Sequence, residues 1–186
     1  MSRLAEVIAA IDAANEADPE RDAAGPAARV YGQRMSAELE RLFPDASDAL
    51  RIAARGQHIE RWTSPRSAYP EGREGYLAWR RDLGAFHAAR VGALMAEAGY
   101  DAETIAATGR MLRKEGIKRD AEVQALEDVI CFTFLRWYFT PFAEGRDAEA
   151  LERIVARTAR KMSAGARARA LAEFDLPEPF AASFRG

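Results

Sequence analysis

Apolar residues recur along this chain at the three- and four-residue spacing of a helix face, and no stretch of useful length alternates as a half-buried strand would. Leu4, Val7, Ile8 and Ile11 share one face of a predicted helix from Ser2 to Asn15. Asp18-Pro19 stops it, because proline disfavours helical geometry in the residue before it. Glu20 to Gly25 reads as a polar loop, and Pro26 opens a second helix carrying Val30, Tyr31, Leu39 and Leu42. Asp45 or Ser47 caps a third, alanine-rich helix that reaches His58-Ile59. The segment from Thr63 to Gly72 holds too many turn residues to be helical.

A long helix from Gly75 to Ala98 follows, with Tyr76, Trp79, Leu83, Phe86, Val91 and Leu94 inward, and Gly99 is its stop. Asp101, Asp120, Asp147 and Ser163 each sit where a capping side chain belongs and open four more helices. Pro141 ends or kinks the most apolar of these, and the tail Leu176-Pro177-Glu178-Pro179 is expected to be extended. The pattern predicts an all-α fold: one domain spanning residues 1–186, a bundle of about seven or eight helices with no sheet.

A chain of 186 residues buries a core large enough to need no disulfide or structural metal. Its single cysteine, Cys131, lies in the apolar run Val129-Ile130-Cys131-Phe132 and reads as core, in keeping with a reducing compartment. Glu6 and Asp12 interrupt the N-terminal segment before it becomes a signal sequence. The most apolar stretch, Val129 to Phe142, is too short to span a bilayer and contains Arg136. A cytoplasmic protein without membrane contact is expected. The formal net charge of −2 disfavours nucleic acid as a partner while leaving room for a local basic patch.

Three groups of residues carry candidate chemistry. The chain has 2 histidines, His58 at a helix end and His87 mid-helix, and imidazole serves both as a hydrogen-bonding group and as a metal ligand. Glu127-Asp128 interrupts a buried-looking helix, and a carboxylate there must be paired or bound to a metal, because burying it bare is very costly. Between Arg61 and Arg81 five arginines (Arg61, Arg66, Arg73, Arg80, Arg81) face two acids, with Trp62, Tyr69, Tyr76 and Trp79 among them. Arginine forks bind phosphate in bidentate fashion, and they also stack on aromatic rings to fasten a loop. Only three of the basic residues are lysines, and two of those, Lys114 and Lys118, fall close together, where a compact ammonium would suit a phosphate.

The stretches Tyr31-Gly32-Gln33-Arg34-Met35, Ala54 to Trp62, Pro65 to Pro70, Gly75 to Arg80, Phe86-His87-Ala88 and Leu126 to Val129 resemble an uncharacterised family, domain of unknown function 4202. The resemblance covers nearly the whole chain. The helix order is also distantly similar to HD-domain metal-dependent phosphohydrolases, whose histidines and aspartates hold metals that activate water against a phosphoester. That likeness places His58 on the histidine of the His-Asp doublet, His87 on a further histidine, and Asp128 on the closing aspartate. It also puts Tyr31 near the first histidine and Ile59 at the doublet aspartate, so two family ligands are replaced.

What the resemblance implies is a divalent metal held by His58, His87 and Asp128, with Glu60, Glu127 and Lys114 in catalytic roles. Arg61, Arg66, Arg80, Lys118 and Trp62 would hold a small phosphate-bearing ligand, a nucleotide or similar phosphoester. The expected function is a metal-dependent phosphohydrolase. The alternative is a degenerate HD-like module that binds a nucleotide or other anion without turning it over, which the loss of the doublet aspartate favours. A third class, a helical interaction protein with no small ligand, needs only the helix periodicity.

Overall fold

The computed structural model describes residues 2–185, and among them the chain is almost wholly helical, as the periodicity predicts. It divides into two compact units, one up to Glu115 and one from Gly116 onward.

The first unit holds α1 (Arg3–Asn15), a hairpin of β1 (Arg21–Asp22) and β2 (Gly25–Pro26), α2 (Ala27–Leu42), α3 (Asp48–Gly56), α4 (Gly72–Glu97) and α5 (Ala102–Leu112). Val7, Ile11, Met35, Leu39, Ile52, Ile59, Val91, Met95 and Met111 are fully buried and form its core. The hairpin corrects the expectation of no sheet: Arg21 pairs with Pro26 and Asp22 with Gly25 in antiparallel register. Buried Asp18 organises it, taking the N–H of Glu20 (2.9 Å) on one oxygen and that of Ala28 (2.8 Å) on the other. The second bond caps α2 from a distance, where Pro26 has no polar side chain to do so.

The second unit holds α6 (Ala121–Thr133), a wider π-type turn over Phe134–Tyr138, α7 (Phe139–Ala143), α8 (Ala148–Lys161), α9 (Ala164–Glu173) and α10 (Glu178–Arg185). Pro141 has no N–H to give the preceding turn, and the widened turn lies just before it, splitting the predicted single helix in two. The tail is also not extended. Pro179 occupies the first turn of α10, where a missing N–H costs no intrahelical bond, and Ala181 and Phe184 are buried. These two changes raise the count to ten α-helices among the described residues, instead of seven or eight. No described helix is long and apolar enough to cross a membrane.

Candidate functional site

The site begins where α3 stops. Glu60 adopts a left-handed conformation (φ 48°), which is uncommon for a residue with a side chain and is held here from both ends. Its N–H donates to Oδ1 of buried Asn15 (2.9 Å), and its carboxylate accepts from Nε of Arg90 (2.8 Å). This reversal places Ile59 in the core, fully shielded, and sends Arg61 over the ring of Trp79, 4.8 Å from the centroid. The Trp79 indole N–H donates to the Ser64 carbonyl (2.9 Å), and the Tyr69 hydroxyl bonds Asp82 (3.2 Å). Arg66 donates to the Tyr69 carbonyl (2.9 Å), closing the loop on itself. The loop from Arg61 to Gly72 is thereby pinned to α4.

His58 and His87, 29 positions apart in the chain, come together with ring centroids 6.4 Å apart. His58 stacks on Tyr31 at 3.8 Å, nearly parallel, while His87 is 4% exposed on the inner side of α4. Beside them lies a cavity of about 310 Å³ lined by Gln57, Arg61, Arg80, Arg81, Leu83, His87, Leu112, Arg113, Lys114 and Glu115, among others. Arg113 pairs with Glu115 and Arg81 with Asp82. Arg61 and Arg80 have no ion pair or side-chain hydrogen bond among the described residues, so two guanidinium charges stand at the cavity without a bonded counter-ion. Two further polar atoms on lining residues, Oε1 of Gln57 and Nε2 of His87, are buried with no hydrogen-bond partner. Each such orphan needs an explanation, because native interiors pair nearly all of their buried polar groups.

The electrostatics follow from this crowding. Burial, then the charges of Arg61 and Arg80, hold His87 down at about 3. Burial also holds His58 well below its ordinary value, aided by Arg61, His87, Arg80 and Lys114. Arg61 is itself lowered by burial and then by Arg80. The field of this cavity is positive, and His87 in its wall and His58 beside it are neutral at pH 7. A stability profile should record this. Both histidines bind a proton in the unfolded chain below about pH 6.5 but resist it when folded, so the unfolded state gains as pH falls. Denaturant unfolding should show stability falling from pH 6.5 towards 3, by at most about 1.4 kcal/mol per pH unit for His87. His87→Leu should flatten that slope; an unaltered slope would show that His87 does not resist protonation.

Lys114 enters the cavity from the end of α5. The Glu115 N–H donates to Arg110 O and the Lys114 N–H to Met111 O (both 3.0 Å), the bonding pattern of a helix terminated by a left-handed residue. Glycine usually fills that place, yet here it is Lys114 at φ 59°.

The structure therefore gathers His58, His87, Arg61, Arg80 and Lys114 in the first unit. It gives the other candidates separate tasks. Glu60 is engaged by Arg90, Arg66 by its own loop, and Trp62 is half-buried outside the cavity lining. In the second unit the Lys118 ammonium donates to the Met162 carbonyl (2.6 Å), and buried Glu127 lies 3.7 Å from Lys161. Asp128, 3% exposed, accepts from Gln124 Nε2 (2.9 Å), the Ser163 N–H (2.8 Å) and the Ser163 hydroxyl (2.7 Å).

Among the described residues no group of three or more His, Cys, Asp or Glu is placed to hold a metal ion. The cations around His58 also oppose a further positive charge. Gln57, Arg113 and Glu115 line the cavity although the sequence reading did not select them. The available signal was adjacency, Gln57 to His58 and Arg113 and Glu115 to Lys114. A family model described as Domain of unknown function (DUF4202) matches residues 5–182. No curated protein and no solved structure matches the chain.

Proposed function

We propose, for a chain that belongs to the DUF4202 family, that its first unit binds a small phosphate-bearing anion in the cavity of Arg61, Arg80 and Lys114. One observation carries this reading: two guanidiniums and an ammonium meet at a cavity, and the guanidiniums have no carboxylate bonded to them. Partly buried like charges repel one another, and an anion with several oxygens relieves the repulsion while taking bidentate bonds from the arginine forks. Neutral imidazoles add hydrogen bonding without adding to the repulsion. A cavity of about 310 Å³ is at the low end for small-molecule sites, which favours a compact phosphoester over a dinucleotide. Phosphorylated metabolites and a lone buried thiol, Cys131, both fit a cytoplasmic setting.

This is the non-catalytic version of the HD-domain likeness. The hydrolytic version relies on a metal held by at least three protein ligands, of which His58 and His87 are two. Asp128, the third residue of that set, has its carboxylate engaged by Gln124 and Ser163.

Calorimetric titration with inorganic phosphate and pyrophosphate tests the proposal. Arg80→Ala should weaken binding about tenfold or more, as expected for a charged bond lost from a half-buried site. Lys114→Gly should also weaken binding while raising the melting temperature of the free protein, because glycine accepts the left-handed conformation that costs lysine on the order of 1 kcal/mol. Absence of binding by the folded wild type ends the proposal. Phosphoester turnover that requires added manganese, cobalt, nickel or magnesium and is lost in His58→Ala selects the hydrolase.

A further inference from the structure

We infer that the anion this cavity takes is a hydroxylated phosphomonoester of about sugar-phosphate size, with Gln57 and His87 reading the hydroxyl beside the phosphate. The inference rests on the anion-binding proposal and extends it from charge to ligand class. Cations alone would suit any polyanion, and a second phosphate would serve them well. Polyphosphate oxygens only accept, however, and would leave an acceptor such as Oε1 of Gln57 unsatisfied. That amide is 5% exposed, lines the cavity, and has no partner for its oxygen; His87, 4% exposed, also lines the cavity with Nε2 unpartnered.

A neutral imidazole offers one donor and one acceptor, and an amide offers both kinds. A hydroxyl is the small group that donates and accepts at once, so it donates to the Gln57 oxygen and accepts from His87 in the tautomer that carries its proton on Nε2. The arrangement along the chain supports a divided site. Arg61 lies four residues after Gln57, and Arg80 seven before His87 on α4, so each element brings one cation and one neutral polar group to the same cavity. A phosphate on the cations leaves the amide and imidazole for the neighbouring part of the ligand. The cavity volume of about 310 Å³ admits a phosphate with a short polyol and leaves little room for more.

The experiment compares glycerol 3-phosphate with propyl phosphate, which has the same charge and a similar length but no hydroxyls. Each is titrated calorimetrically into the full chain, with inorganic phosphate as a third probe. Glycerol 3-phosphate should bind wild type about three- to tenfold more tightly than propyl phosphate, the gain of a net hydrogen bond at a buried site. Gln57→Met, similar in length, should shrink that preference, because the hydroxyl loses one of its two readers; the ratio of the two affinities is the readout.

Equal affinity of the two esters for wild type overturns the inference and leaves the anion site standing. Failure of all three probes to bind overturns both. A hydroxyl preference that persists undiminished in well-folded Gln57→Met, and also in His87→Phe, removes these residues as its readers and overturns the assignment. The comparison on wild type decides the ligand class even if a variant fails to fold.

Discussion

Asp128→Ala is expected to lower the melting temperature by roughly 6–12 °C, the equivalent of about 3 kcal/mol in a chain of this size. The carboxylate joins α6 to the start of α9: one oxygen takes Gln124 Nε2 and the Ser163 N–H, and the other takes the Ser163 hydroxyl. Ser163 in turn caps α9 by accepting from the Ala166 N–H (3.1 Å). Alanine would remove three hydrogen bonds at a site that is 3% exposed; Gln124 Nε2 keeps the Lys161 carbonyl (3.0 Å), but the Ser163 N–H and hydroxyl lose this acceptor, and bonds to a charged partner are the more expensive ones to lose. Asp128→Asn keeps one acceptor and should lose less. Thermal unfolding followed by circular dichroism measures both. An Asp128→Ala protein that melts normally but has lost a metal-dependent turnover would instead return Asp128 to the ligand role implied by the HD likeness.

A comparable loss should follow Gly75→Ala, for a steric reason. Gly75 is buried in the first turns of α4, and a Cβ there would lie 1.9 Å from the Pro70 carbonyl oxygen and 2.7 Å from its carbon. Both are backbone atoms, so no side chain can rotate away. Either the loop ending at Pro70 lifts from α4 or the helix start unwinds. Overpacking of this kind typically costs about 1–3 kcal/mol, and a backbone contact so close belongs at the upper end. The loop carries Arg61, so phosphate affinity should fall with stability, whereas Gly165→Ala, in the ordinary helical conformation of α9 and with nothing within 4 Å of its Cβ, should leave phosphate binding intact. Melting curves with and without phosphate check both effects; unchanged melting and binding in Gly75→Ala would show that the loop does not depend on this contact.

Capping was legible from the sequence because it is local. Ser2, Ser47, Asp101, Asp120, Asp147 and Ser163 each accept an N–H within three residues, so residue type and position suffice to place the helix starts. The apolar spacing likewise placed Val7, Ile11, Leu83 and Val91 in a core. Other features depended on partners distant in sequence. Glu127-Asp128 announced that buried carboxylates need partners, but only the approach of Lys161 and Ser163 identified them. The hairpin at Arg21 rests on Asp18 reaching Ala28. Glu60 holds its left-handed turn through Asn15 and Arg90, 45 and 30 residues away.

The cavity belongs to this second kind. Arg61 comes from the turn after α3, Arg80 and His87 from α4, and Lys114 from the end of α5. Periodicity records which face of a helix is apolar, so it marked these residues as polar punctuation on separate elements. Whether their charges meet depends on how those elements pack. The sequence by itself determined the helices and most of their starts, because those bonds close within a turn; tertiary structure alone decided that two guanidiniums without an ion pair, the His87 imidazole, an orphan amide and the Lys114 ammonium share one cavity, because that requires Gln57 and Lys114, 57 positions apart, to converge.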